Sequence, residues 1–133
     1  MTRIDKVRIG HGVHDPARLD TRASLTRAQR IVVKIGSSSL TLPSGDLNRN
    51  AIWALASSVS CLVHEGREVV IVSSGAIAAA LRPMGFNARP ESITDSQALA
   101  SVGQGMLIRE WSQAFGMSNV LVGQVLLTED DMV

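Results

Sequence analysis

Two apolar, β-branched runs break into glycine and serine in the same way, and no other feature constrains the fold of this chain as tightly. The first is Ile31-Val32-Val33-Lys34-Ile35-Gly36-Ser37-Ser38 and the second is Val69-Val70-Ile71-Val72-Ser73-Ser74-Gly75-Ala76. The first run, residues 30–35, reads as a strand buried on both faces, and residues 68–73 form the second apolar strand. Between them Ile52, Leu55, Val59, Leu62 and Val63 recur at helical spacing and make one apolar face. A strand, a helix and a strand at these separations form a right-handed crossover, which makes the two strands parallel. In a parallel pair both breaks fall at one edge of the sheet. Bare backbone N–H groups and one lysine then face a shared space, the arrangement of a phosphate site.

The remaining pattern extends an α/β fold. A small-residue loop is expected from the first break to Gly45, and Asn48 or Asn50 as the cap of a helix running to about His64, ended by Gly66. Cys61 is expected as a small packed residue beside the apolar face, and Trp53 lies off that face at the surface. A short helix over Ala76–Leu81 stops at Pro83 and Gly85, and residues 86–93 read as a loop. Thr94 or Asp95 is then expected to cap a helical stretch to about Phe115. Gly103 and Gly105 interrupt it, either at a break or where a backbone comes close, since mid-helix glycine costs about 1 kcal/mol against alanine. Residues 119–127 read as a third strand, and Thr128-Glu129-Asp130-Asp131 as the capped, acidic start of a further helix. A strand leading into a helix that does not follow suggests a fold truncated after its third or fourth strand.

Composition narrows the function classes. The 133 residues make one domain. Residues 1–29 lack hydrophobic periodicity, carry His11 and His14, and read as a flexible leader to a domain over 30–133. Residues 1–30 hold seven Lys/Arg against three Asp, which leaves the remainder mildly acidic. With no basic stripe and no tyrosine, and only two Trp and two Phe, a nucleic-acid partner is not expected. A single cysteine, no signal-peptide pattern and no bilayer-length apolar run point to the cytoplasm and away from a membrane. The histidines form no metal-ligand cluster, and His64 reads as a solvated helix-end residue.

Chemistry concentrates at the two breaks. Lysine at the end of a buried strand is costly unless its ammonium meets an anion; the alternative is that Lys34 reaches out to solvent. Gly36 lets a ligand approach the backbone, and Ser37 and Ser38 add donors that could offset charge developing during phosphoryl transfer. Ser74-Gly75-Ala76 puts N–H groups at a helix N-terminus, suited to phosphate or carboxylate; the alternative is a tight turn that needs glycine. The P-loop, dinucleotide and nucleophile-elbow patterns are all absent.

These residues resemble the amino-acid kinase family, and within it the glutamate 5-kinases. The resemblance runs from about Ile31 to Val133. It rests on Val-Val-Lys-Ile-Gly-Ser-Ser, Leu47-Asn48-Arg49, Val72-Ser73-Ser74-Gly75-Ala76-Ile77-Ala78-Ala79, Gln97-Ala98-Leu99-Ala100-Ser101-Val102-Gly103-Gln104 and Val122-Gly123-Gln124-Val125-Leu126-Leu127-Thr128. It implies a three-layer αβα sandwich with a mainly parallel sheet. It also implies ATP-dependent phosphorylation of the L-glutamate side-chain carboxylate, the first step of proline synthesis, with Mg²⁺ as cofactor and a homo-oligomer at full length. By resemblance, Lys34 serves the transferring phosphate, Gly36 and Ser37 line the phosphate passage, and Ser74 and Gly75 hold glutamate. The family's other substrate loops, its second lysine and most of its adenine site are expected beyond residue 133, and no metal ligand is assigned here. Ala80 departs from the glycine common in the family. The alternatives are a kinase acting on acetylglutamate, aspartate, carbamate or a nucleoside monophosphate, and a non-catalytic small-molecule-binding remnant.

Overall fold

The computed structural model describes residues 26–127. Strand β1 (Arg30–Ile35) and strand β2 (Glu68–Ser73) pair in parallel, with Ile31 opposite Val69, Val33 opposite Ile71 and Ile35 opposite Ser73. The register begins as the Gln29 carbonyl accepts the Glu68 N–H at 2.8 Å. Around the strands stand α1 (Ser37–Leu40), α2 (Arg49–His64), α3 (Ala76–Leu81) and α4 (Ile93–Gly116). The fold is α/β with a parallel sheet, as the sequence implies.

The α2 helix is built as its pattern predicts. Asn48 caps it, its side-chain oxygen accepting the Ala51 N–H at 3.1 Å. At the far end Gly66 turns with φ +83°, and its N–H and that of Arg67 return to the carbonyls of Val63 and Leu62. Ile52, Ala56 and Val59 are buried, with Leu55 and Val63 packed beside them. Cys61 is instead exposed and unbridged. It stands nine residues after Ile52, and nine steps of about 100° place it half a turn away from the core-facing side. Its neighbour Ser60 is buried in its stead. His64 is exposed, as expected, and its Nε2 donates to the Ser118 carbonyl at 3.1 Å. Replacing Asn48 with alanine should lower stability by about 1 kcal/mol, read as a lower denaturant midpoint at unchanged slope.

Ile35, Val33, Val69 and Ile71 join α2 and α4 in the main core, together with Leu40, Leu107, Trp111, Ala114 and Phe115. The opposite face of the sheet is open among the described residues. Val32, Val70 and Val72 are 63%, 48% and 50% exposed, so the expected burial on both faces is not met here. Every described helix that packs on the sheet packs on one side, so only the residues alternating toward that side are covered.

Two further expectations change. The stretch read as a plain loop after β1 contains α1 and then a tight hairpin, in which Thr41 bridges Leu47 and Gly45 takes φ +87°. Residues 119–127 are not a paired strand. Val120 and Val122 pack on the core while Leu121 is 98% exposed, which is strand-like alternation. No ladder forms, because a cleft of about 860 Å³ lies between this segment, α4 and β2. The expected helix start at Thr128 and the leader up to residue 25 lie outside the described residues.

The α4 helix begins two to three residues earlier than expected, because Ser92 rather than Thr94 or Asp95 is the cap; its hydroxyl accepts the Asp95 N–H at 3.3 Å. It then runs unbroken through both glycines. Gly103 marks a close approach, since a Cβ there would stand 1.8 Å from the Ala76 carbonyl oxygen and 3.1 Å from the Ala80 Cβ. The Ala80 methyl is fully buried at this crossing and is accommodated because Gly103 has none. No described helix is long and apolar enough to cross a membrane.

Candidate functional site

The two breaks do meet at one edge. Ile35 stands opposite Ser73, and the Ile35 carbonyl accepts the Ser74 N–H at 3.2 Å, one step beyond the ladder. Lys34, Gly36 and Ser37 are thereby brought to the same end of the sheet as Ser74 and Gly75. Behind them, Leu40 of α1 and Leu47 after the hairpin fill the space under Gly75, whose missing Cβ would lie 3.7 Å and 3.4 Å from them. Buried aliphatic contacts thus lock the first junction to the second.

Each junction has its own local cause. After β1 the chain passes through Gly36 in extended conformation (φ −75°, ψ 160°) and winds into α1, where Ser39 N–H returns to the Gly36 carbonyl at 3.2 Å and the Thr41 hydroxyl donates to the Ser37 carbonyl at 2.8 Å. Nothing but the Ser38 hydroxyl, 4.0 Å away, approaches the position of a Gly36 Cβ, so the backbone is open to a ligand. Ser37 and Ser38 are exposed. After β2 the chain turns sharply at Gly75, with φ +114° and ψ 3°, a conformation that favours glycine. The first N–H groups of α3 have no partner within the helix and point toward this edge.

Lys34 lies on the open face with Val32 and beside Val72. It is exposed, and among the described residues no acid pairs with it. The desolvation argument for an anion partner therefore does not apply to the described residues. What the fold supplies is a cationic side chain at the edge, next to an open glycine and two hydroxyls. Ser74 also differs from expectation. Its N–H is consumed by Ile35, so the groups left at this turn are its exposed hydroxyl and the N–H of the following Gly75, which is itself a buried residue.

Residues distant in sequence hold this edge in place. The Trp111 indole N–H donates to Ser73 Oγ at 3.2 Å, and Ser73 Oγ donates to the Ser74 carbonyl at 3.0 Å. Arg49, directly after the α2 cap, pairs with Glu110 of α4 at 2.8 Å. At the end of α3, Arg82 reaches the Ser44 carbonyl, Asp46 and Asn87, tying the hairpin to the helix. Neither Ser73 nor Trp111 carries a local sequence signal for this role. A second cavity of about 400 Å³, between α3 and the loop before α4, contains none of the junction residues. Among the described residues no three His, Cys, Asp or Glu side chains converge, so they offer no cage for Mg²⁺.

The pattern of the amino acid kinase family matches residues 29–132. Curated relatives named glutamate 5-kinase include one from Salinispora arenicola, 53% identical over 111 residues, which are 84% of this chain and 30% of the relative. One from Streptomyces coelicolor is 49% identical over 111 residues, again 84% of this chain and 30% of its own length. One from Bifidobacterium longum is 45% identical over 118 residues, covering 89% of this chain and 31% of the relative. The chain therefore spans about 30% of the length of the curated relatives it matches. The match takes in both strands, both junctions and the helix that braces them, and by it this chain belongs to the amino acid kinase family.

Proposed function

We propose that this segment is part of a glutamate 5-kinase, in which it supplies the phosphate-passage edge and the acceptor edge of the active site. The observation that carries the reading is the Ser74 N–H bond to the Ile35 carbonyl, which sets Lys34-Ile35-Gly36-Ser37 against Ser73-Ser74-Gly75. The names of the relatives support the substrate assignment.

In the proposed reaction a side-chain carboxylate oxygen of L-glutamate attacks the terminal phosphorus of ATP. The bond from that phosphorus to the ADP oxygen breaks in line, giving γ-glutamyl phosphate and ADP. No covalent enzyme intermediate is needed, so positioning and charge stabilisation do the work. Lys34 faces the phosphoryl group in flight and offsets its charge. Gly36 and Ser37 line its passage, one by leaving the backbone open and the other by offering a hydroxyl. Ser74 holds glutamate through its hydroxyl, and Gly75 through its N–H. Mg²⁺, when bound with ATP, would neutralise phosphate charge; the described residues provide no cage for it, and no step here runs through it. The reading carries a cytoplasmic location and a homo-oligomeric full-length enzyme with it.

Hydroxylamine trapping tests the assignment. With ATP, Mg²⁺ and L-glutamate, the full-length protein containing this segment should form γ-glutamyl hydroxamate, and acetylglutamate, aspartate, carbamate and nucleoside monophosphates should not replace glutamate. Turnover of one of those acceptors instead, or of none, would overturn it. The 133 residues alone, spanning about 30% of such an enzyme, should give no turnover.

A further inference from the structure

Trp111 is one of the few aromatic residues in the chain, and it is buried in the core at 5% exposure. Its ring stacks near Phe115, with centroids 6.0 Å apart. Packing alone would be served as well by phenylalanine. The indole N–H does something packing does not require: it donates to Ser73 Oγ at 3.2 Å. That bond leaves the Ser73 hydroxyl hydrogen free to point elsewhere, and it points to the Ser74 carbonyl at 3.0 Å. On the other side of the same residue, the Ser74 N–H is held by the Ile35 carbonyl. Both main-chain polar groups of Ser74 are therefore tied down.

The consequence falls on the next peptide plane. The Ser74 carbonyl and the Gly75 N–H belong to one rigid amide. Gly75 sits at φ +114°, where glycine has wide freedom, so its own backbone does little to set that plane. Without an anchor the plane could swing, and the Gly75 N–H with it.

We propose that Trp111 is a positioning residue for the acceptor substrate, acting through Ser73 to fix the Ser74–Gly75 peptide that faces it. The inference rests on the assignment of Ser74 and Gly75 to glutamate made above. Trp111 sits on α4, whose backbone at Gly103 also presses on the first residue of α3. One helix thus braces both sides of the turn, by contact at Ala76 and by a hydrogen-bond relay at Ser73.

The test uses the full-length kinase and three variants. Trp111→Phe keeps an aromatic ring beside Phe115 and removes the N–H donor. Ser73→Ala removes the relay, and Ser73→Thr keeps the hydroxyl. Trp111→Phe and Ser73→Ala should each raise KM for glutamate by about three- to tenfold, the range a lost hydrogen bond produces. KM for ATP should stay within about twofold, and Ser73→Thr should behave as wild type. The double variant Trp111→Phe/Ser73→Ala should be no worse than either single change, since both cut one relay. Unchanged KM for glutamate, an equal rise in KM for ATP, or Ser73→Thr failing like Ser73→Ala would each overturn the proposal. If Trp111→Phe does not fold, Ser73→Ala against Ser73→Thr decides alone. Amide exchange over residues 73–76 gives a readout free of any substrate: faster exchange of the Gly75 amide, the N–H of the peptide the relay holds, is expected in Ser73→Ala and not in Ser73→Thr. A wild-type enzyme inactive on glutamate but showing this exchange pattern would sink the substrate assignment and leave the relay standing. Equal exchange in all variants would sink the relay.

Discussion

Replacing Lys34 with alanine should cut kcat of the full-length kinase by about 10²–10³-fold, the usual loss when one preorganised donor to transition-state charge is removed. Stability should barely move. Lys34 is exposed on the open face and pairs with no acid among the described residues, and surface changes of this kind stay within about 0.5 kcal/mol. The combination discriminates between roles: a structural lysine would lose stability with activity, whereas a phosphate-facing one loses activity alone. Lys34→Arg should recover only part of the loss, because a planar guanidinium spreads the charge that an ammonium concentrates at one point. Turnover within about threefold of wild type for Lys34→Ala, beside the 10²-fold expected, would remove Lys34 from the phosphate's path.

The parts of this edge that were legible in the sequence are those decided locally. Two β-branched runs ending in glycine and serine give the strands, and the distance between them makes the strands parallel. Their breaks therefore had to share an edge, and the Ser74 to Ile35 bond shows that they do. Asn48 as a cap and Gly66 as a stop follow from which backbone groups a helix leaves unpaired. The apolar face of α2 follows from spacing, and the same spacing carried to its angle puts Cys61 on the exposed side.

What stayed hidden depends on partners far along the chain. Trp111 and Ser73 are 38 residues apart, and Arg49 and Glu110 are 61 apart; nothing in either neighbourhood announces the bond. The same cause explains residues 119–127. Their composition is that of a strand, but a strand exists only when an edge pairs with it, and across the cleft beside β2 that pairing is not made. The open face of the sheet makes the point from the other side. Val32, Val70 and Val72 have the composition of buried residues, yet no described helix packs on their side of the sheet.

Gly103 and Gly105 separate the two meanings of glycine in a helix, and changing each to alanine should move stability in opposite directions. At Gly105 nothing lies within 4 Å of a new Cβ, so the substitution only restores helix propensity, a gain of about 1 kcal/mol. At Gly103 the same propensity gain is available, but the new methyl would stand 1.8 Å from the Ala76 carbonyl oxygen and 2.7 Å from its carbon. Those are backbone atoms in the first turn of α3 and cannot rotate aside as a side chain would. Either α3 or α4 must shift, which puts the cost near the upper end of overpacking, about 3 kcal/mol. In a domain of about 150–250 residues that is a fall in Tm of about 6–12 °C. Since Ala76 follows Gly75 directly, the shift should also reach the acceptor edge, and KM for glutamate should rise in Gly103→Ala and not in Gly105→Ala. Thermal melts of the two variants beside wild type decide the matter. If Gly103→Ala proves as stable as Gly105→Ala, the two helices do not cross as closely as the structure has them, and the bracing of the Ser74–Gly75 turn by α4 would rest on the Trp111 relay alone.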